Sequence, residues 1–174
     1  NAAGSYTVVI TNSCGSVTSN AAVVTITPAP TVTNPSAVTS CVNGVMTMGV
    51  EATGTNLTYQ WYKGSVGSGT LLSNTSKISG ATTSVLTINN IASGDAGDYY
   101  VVVTGDCGNA TSSAAALTVS TPISITTQPV GGSICATAST TLSVVASGTS
   151  NTYQWYKDGS IINGETNATY VANA

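Results

Sequence analysis

The hexapeptide Thr58-Tyr59-Gln60-Trp61-Tyr62-Lys63 occurs twice in a chain of 174 residues. Its second copy occupies residues 152–157 without a change, 94 positions later. Three further landmarks repeat at a separation of 93 or 94: AGSYTVV at 3–9 with AGDYYVV at 96–102, Cys14-Gly15 with Cys107-Gly108, and Cys41 with Cys135. A fixed period of this length indicates a repeat architecture.

Each repeat consists of short segments rich in Val, Thr, Tyr and Ile, often with apolar residues at every second position. Such segments favour β-strands, and the Gly, Asn, Asp and Ser clusters between them favour turns. The sequence has no helix-length amphipathic stretch with an N-cap. We predict strands over Val45–Ala52, Leu57–Lys63, Val85–Ile88, Tyr99–Thr104 and Ala114–Val119. Many short strands at this spacing predict a β-sandwich or a β-barrel.

Three stretches carry a family resemblance. Asp95-Ala96-Gly97-Asp98-Tyr99 resembles the tyrosine corner of immunoglobulin-like domains, residues 59–63 resemble their strand C, and Ile125–Pro129 resembles their first strand. With a Cys before strand B and Cys-Gly at the F–G turn, the combination resembles the tandem immunoglobulin-like repeats of large secreted bacterial adhesins, as in gliding or surface-colonising bacteria. The resemblance implies an all-β fold of tandem immunoglobulin-like β-sandwiches with Greek-key topology.

The same resemblance implies which side chains form the core. Val50 and Val101 align with the positions that hold the inter-sheet disulfide in vertebrate-type domains, and Val144 takes that place in the next repeat. The tryptophan of strand C is then expected to pack against valines rather than against sulfur. The expected core residues are Trp61, Trp155, Tyr6, Tyr99, Val50, Val101 and Val144.

The phase of the repeat predicts how the chain divides. Residues 1–27 correspond to strands F and G of one repeat, residues 30–120 to a complete repeat, and residues 122–174 to strands A to E of a further one. An isolated hairpin is marginal in water and an open sandwich has bare edges. Two explanations of the incomplete repeats stay open. The favoured one is a window on a longer tandem chain, and the other is self-assembly, in which the ends of neighbouring copies complete one another.

Cys14, Cys41, Cys107 and Cys135 are disulfide candidates, since a Thr-rich β-only chain suggests an oxidising compartment. Immunoglobulin geometry places Cys41 roughly 17 Å below the centre of the sandwich and Cys107 roughly 20 Å above it. A disulfide needs its Cα atoms within about 7 Å. We therefore favour a bond between neighbouring domains over an intradomain Cys41–Cys107 bond, and free thiols are the third alternative.

Charge is scarce: the chain has 3 Lys or Arg, 6 Asp or Glu and no His, and its net charge is −3. Without His there is no imidazole base and no His-ligated metal, so we expect no enzyme and no cofactor. Asp95, Asp98 and Asp106 are read as turn residues rather than calcium ligands. Three basic residues cannot form a nucleic-acid footprint, and no apolar run approaches the about 18 residues of a membrane helix, so we predict neither partner.

Strand alternation points Gln60, Tyr62 and Tyr100 outward, where an aromatic pair could stack on a sugar or a protein. Cross-strand packing of the two rings is the alternative. The favoured function is a structural spacer or fibre segment of a secreted bacterial adhesin at the cell surface, with neighbouring repeats of the same protein as its partners. The alternatives are a carbohydrate- or protein-binding module and an accessory domain of a large secreted hydrolase.

Overall fold

The computed structural model describes residues 2–174, and within them the chain forms short β-strands and a single 3-10 turn at Ser93–Asp95. The all-β class expected from the sequence is confirmed. In residues 2–29 the strands are β1 (Gly4–Tyr6), β2 (Val9–Asn12), β3 (Gly15–Thr18) and β4 (Ala22–Val24). In residues 30–120 they are β5 (Thr31–Val32), β6 (Val38–Cys41), β7 (Met46–Gly49), β8 (Ala52–Thr53), β9 (Thr58–Lys63), β10 (Thr70–Leu71), β11 (Ile78–Ser79), β12 (Val85–Ile88), β13 (Gly97–Gly105), β14 (Gly108–Thr111) and β15 (Ala115–Ser120). In residues 121–174 they are β16 (Ser124–Thr127), β17 (Ser139–Ser143), β18 (Val145–Ser147), β19 (Tyr156–Lys157), β20 (Ser160–Ile161) and β21 (Thr169–Asn173).

One predicted strand is divided. Residues 45–52 were expected to form a single strand, but they form β7 and β8, separated by Val50 and Glu51. The division arises because the chain changes partner there. The Val50 N–H donates to the Ser84 carbonyl at 3.0 Å, and the Glu51 carbonyl accepts from the Thr33 N–H at 2.8 Å. β7 therefore lies in one sheet with β12, and β8 pairs with β5.

The strands of residues 30–120 form two main sheets. The larger has the order β10-β9-β13-β15-β6, and β14 also pairs with β13. β9 and β13 are antiparallel, with Val101 opposite Trp61 and Val103 opposite Tyr59. β15 and β6 are parallel, with Leu117 opposite Val38. The smaller sheet has the order β11-β12-β7.

Backbone contacts group the chain into two units. The first contains residues up to Ser36, 48–86 and 98–115, and includes the β1–β4, β2–β3, β5–β8, β9–β10 and β13–β14 pairs. The second contains residues 37–47, 87–97 and 116–174, and includes the β6–β15, β16–β18, β17–β21 and β19–β20 pairs.

The buried core lies within residues 30–120 and follows the alternation of the strands. Met46 and Met48 of β7 are buried, while Thr47 and Gly49 between them are exposed. The Trp61 side chain is fully buried, and its indole N–H donates to the Thr83 carbonyl at 2.9 Å. The fully buried large side chains are Trp61, Tyr99, Met46, Met48, Leu86, Ile88, Ile91, Val101 and Val103.

The expected core residues outside residues 30–120 are more exposed than predicted. Tyr6 was expected to be buried, but its side chain is 52% exposed, whereas its counterpart Tyr99 is 1% exposed. Trp155 and Val144 are only half-buried. The physical reason is the absence, among the described residues, of a strand paired with residues 152–155 as β13 pairs with β9.

The two copies of the hexapeptide allow a matched test of this core. We expect Trp61→Ala to lower the free energy of unfolding of residues 30–120 by about 3–5 kcal/mol, because it leaves a cavity in a closed core. Trp155→Ala should cost about half of that or less, since the Trp155 ring is already partly hydrated. Urea unfolding followed by far-UV circular dichroism measures both. Equal losses at the two positions would contradict the difference in burial.

Candidate functional site

The aromatic pair predicted on the outer face of strands C and F is present but is not an open surface. Tyr62 and Tyr100 lie opposite each other on β9 and β13, and their rings stack with centroids 5.1 Å apart. Tyr100 is only 3% exposed, so its expected exposure is wrong. Gln60 is half-buried, and its amide N–H groups donate to the Trp61 carbonyl at 2.9 Å and the Leu72 carbonyl at 2.8 Å.

Tyr100 is buried because the loop after β9 covers it. The Gly67 N–H donates to the Tyr100 hydroxyl oxygen at 3.2 Å. Gly69 approaches the same ring so closely that a Cβ added there would lie 2.7 Å from Tyr100 Cε1 and 2.9 Å from the Lys63 carbonyl oxygen. Strand alternation predicts which way a side chain points, but it does not predict that a Gly-rich loop folds over that side. Tyr62 and Tyr100 therefore pack against each other across the two strands, which was the alternative to a ligand-binding pair.

All four cysteines are exposed and carry free thiols, so no Cys41–Cys107 bond is present. Cys14 lies in the turn between β2 and β3, and Cys107 in the equivalent turn between β13 and β14. Cys41 ends β6, opposite Ser120 of β15. Cys135 begins a turn in which its carbonyl accepts from the Ala138 N–H at 3.0 Å.

The side chains of Asp95 and Asp106 accept hydrogen bonds at turns. The Asp95 carboxylate accepts from the Ala92 N–H at 2.7 Å, next to the 3-10 turn. The Asp106 carboxylate accepts from the Asn56 side-chain amide at 2.9 and 3.0 Å. Within residues 2–174, no three His, Cys, Asp or Glu side chains come together in a way that could hold a metal ion. In the same residues, no helix has the length and apolar character needed to cross a membrane.

Residues 2–27 form a hairpin with the register of the complete repeat. Val9 lies opposite Thr18 and Asn12 opposite Gly15, just as Val102 lies opposite Thr111 and Gly105 opposite Gly108. The apolar side chains of this hairpin are uncovered. Val8 is 56% and Ile10 is 70% exposed, whereas their counterparts Val101 and Val103 are both 0% exposed.

Residues 123–155 line an open groove of about 330 Å³. Val144 and Trp155 lie in it at the positions that Val50 and Trp61 hold in the complete repeat. The residues that line it are Ile123, Ile125, Gln128, Pro129, Val144, Ala146, Thr152, Tyr153, Gln154 and Trp155.

The sequence prediction did not single out Val8, Ile10, Ile123 or Ile125 as surface features. The signal that could have found them is the repeat itself. Val8 and Ile10 are 93 positions before Val101 and Val103, which belong to a strand predicted to pass through the core. Among the described residues, β2 pairs only with β3, in a two-stranded sheet.

The cover over Tyr100 can be tested with a matched pair of glycines. We expect Gly69→Ala to lower the free energy of unfolding by about 1–3 kcal/mol, because the added methyl group collides with the Tyr100 ring and the Lys63 carbonyl. Gly94→Ala is the control, because a Cβ added at Gly94 meets nothing within 4 Å. Chemical unfolding of both variants measures the difference. If both substitutions were neutral, the loop would not be packed on Tyr100.

Comparison with solved structures shows the fold. An I-band fragment of titin superposes with a TM-score of 0.59 at 20% identity, covering 93% of this chain and 58% of that chain. Extracellular domains 3–5 of Drosophila OTK give a TM-score of 0.61 at 19% identity, covering 98% of this chain and 61% of that chain. A Dscam structure, described as the structural basis for isoform specificity, gives a TM-score of 0.56 at 19% identity, covering 86% of this chain and 39% of that chain. The chain thus spans less than two thirds of the length of each.

The comparison with curated proteins returned no match. The solved structures consist of several consecutive immunoglobulin domains and are not bacterial adhesins, so the bacterial part of the resemblance is not supported by them. The fold suits a spacer or a binding module, and nothing in residues 2–174 shows catalytic activity. The immunoglobulin I-set domain family matches residues 30–119, and the chain therefore belongs to that family.

Proposed function

We propose that the chain is a spacer segment of a secreted bacterial surface adhesin, in which consecutive immunoglobulin-like repeats hold a binding or anchoring element away from the cell. The observation that carries this proposal is the short connection between repeats. β15 ends at Ser120 and β16 begins at Ser124. Only residues 121–123 lie between the two strands, which is far too few for a flexible tether.

The connection is also held in place. The Thr121 N–H donates to the Thr149 hydroxyl oxygen at 3.1 Å. Pro122 restricts its own φ angle and pushes the preceding residue towards extended backbone. A short linker with a proline and a fixed hydrogen bond transmits orientation from one repeat to the next, which is the mechanical requirement of a spacer.

The surface chemistry supports an extracellular place. Charged residues make up 5% of the chain, and exposed strand positions are filled largely by Thr and Ser. Hydroxyl groups hydrate such a surface without ionic charges, so the solubility of the chain should depend little on salt concentration. One of the similar solved structures, that of OTK, consists of extracellular domains. The burial of Tyr100 supports a packing role for the Tyr62–Tyr100 pair rather than a role as a ligand face.

The spacer proposal predicts how length scales with repeat number. In chains built with additional copies of residues 30–121, the maximum dimension should grow linearly, by roughly 30–40 Å per repeat, given about 3.3 Å per strand residue. Small-angle X-ray scattering on the monomer fraction from a size-exclusion column measures it. The control is the same series with a ten-residue Gly-Ser insert after Ser120, whose size should grow more slowly. Identical growth in both series would contradict a rigid connection.

The proposed location has its own test. An antibody raised against the folded chain should label intact, unpermeabilised source cells, and protease added outside the cells should remove that label. Labelling only after permeabilisation would contradict a surface location.

A further inference from the structure

We propose that Asn163 is a site of spontaneous deamidation, at which the Gly164 backbone nitrogen displaces the side-chain amide as ammonia. The chain contains two Asn-Gly dipeptides, Asn43-Gly44 and Asn163-Gly164, and both asparagines are exposed. Glycine after asparagine favours this reaction, because it has no side chain to hinder the attacking nitrogen. The two dipeptides differ in the hydrogen bonding of that nitrogen. The proposal does not rest on the spacer role and goes beyond it, because it assigns a chemical modification to one residue.

The Gly164 nitrogen lies in the middle of an exposed turn. The Glu165 N–H closes this turn by donating to the Ile162 carbonyl at 3.2 Å, so Asn163 and Gly164 are its two central residues. Gly164 has a φ of +84°, and a Cβ added to it would meet nothing within 4 Å. Among the described residues, no group accepts a hydrogen bond from the Gly164 N–H. The attacking nitrogen therefore has no protein hydrogen bond to break before it reacts.

The turn at Asn43-Gly44 has the opposite arrangement. There the Gly44 N–H itself closes the turn, because it donates to the Cys41 carbonyl at 2.9 Å. The same dipeptide is tied to the buried Ile91. The Asn43 N–H donates to the Ile91 carbonyl at 2.7 Å, and the Ile91 N–H donates to the Gly44 carbonyl at 3.1 Å. Attack by the Gly44 nitrogen therefore requires this segment to open first.

The position of Asn163 is exposed in the complete repeat as well. The Ile162 N–H and the Leu72 N–H each donate to the carbonyl of the tryptophan in their own repeat, at 3.0 Å in both cases. Ile162 therefore occupies the place of Leu72, and Asn163 that of Ser73. Ser73 is exposed, although β13 and β15 extend the sheet beside β9 there. The exposure of this turn is thus a property of the repeat.

The reaction consumes water and releases ammonia. The Gly164 nitrogen loses its proton to base and attacks Asn163 Cγ, the Cγ–Nδ2 bond breaks, and ammonia leaves a cyclic succinimide. Water then adds to one of the two ring carbonyls and opens the ring to aspartate or to isoaspartate. Either product replaces a neutral amide with a carboxylate, in a chain whose net charge is only −3. The product is therefore separable from the parent chain by anion exchange.

Isoaspartate would also alter how this turn holds Trp155. The Ile162 N–H donates to the Trp155 carbonyl, and the Trp155 N–H donates to the Glu165 carbonyl, both at 3.0 Å. Isoaspartate routes the backbone through the former side-chain carbon, so the chain between Ile162 and Glu165 becomes longer. The spacing of the two groups that bind Trp155 then changes. Formation of isoaspartate is therefore expected to loosen the backbone around Trp155.

Incubation of the 174-residue chain in mildly alkaline buffer tests the proposal, because base removes the proton from the attacking nitrogen. Peptide mapping by mass spectrometry measures conversion at Asn163 and at Asn43 in the same sample. In the folded chain, we expect conversion at Asn163 to be at least about tenfold faster, since opening the Asn43 turn first breaks three hydrogen bonds. In concentrated urea, where neither turn is folded, the two sites should convert at similar rates.

The matched control is Asn163→Ser, which gives this position the side chain that Ser73 has in the complete repeat. The aged wild-type chain should gain a main acidic species and accept methyl groups from an isoaspartyl methyltransferase, and the aged variant should do neither. Equal conversion at Asn163 and Asn43 in the folded chain would overturn the proposal. So would an Asn163 that stays intact for as long as the urea-unfolded chain needs to convert. Aspartate without isoaspartate would rule out the ring intermediate.

Discussion

The pairing of β13 with β9 over the Trp61 indole closes the buried core of residues 30–120. β13 places Val101 and Val103 opposite Trp61 and Tyr59, and all the large side chains at this contact are buried or half-buried. With this strand in place, the sandwich around residues 30–120 has a closed core. The burial of several large apolar side chains is the main source of stability in a domain of this size.

The two copies of the hexapeptide show how far burial is a property of the neighbouring strand rather than of the local sequence. Residues 58–63 form one continuous strand of six residues, whereas only Tyr156 and Lys157 of the identical residues 152–157 are in a strand. Some local contacts are the same in both. The side-chain amides of Gln60 and Gln154 each donate to the carbonyl of the following tryptophan, at 2.9 and 3.1 Å. What differs is the partner across the sheet, and with it the exposure of the tryptophan.

Much of the fold could be predicted from the sequence, because strands and turns are encoded locally. The bounds of β12 agree with the prediction to the residue, and the two rings of Tyr62 and Tyr100 do meet. The errors concern contacts between distant segments. The Gly-rich loop that covers Tyr100 and the partner change after Val50 both depend on tertiary packing, which alternation does not report. The exposure of Tyr6 depends on a covering strand that its own hairpin does not contain.

Hydrogen exchange at the two hexapeptides measures what the paired strand contributes to the core, because the two segments have the same sequence and therefore matched intrinsic exchange rates. With strand pairing over the tryptophan as the decisive interaction, the amides of residues 59–63 should be strongly protected at every protein concentration. Those of residues 153–157 should exchange much faster, because no strand is paired with residues 152–155 among the described residues. Equal protection of both segments in dilute solution would contradict the dependence of the core on a paired strand F.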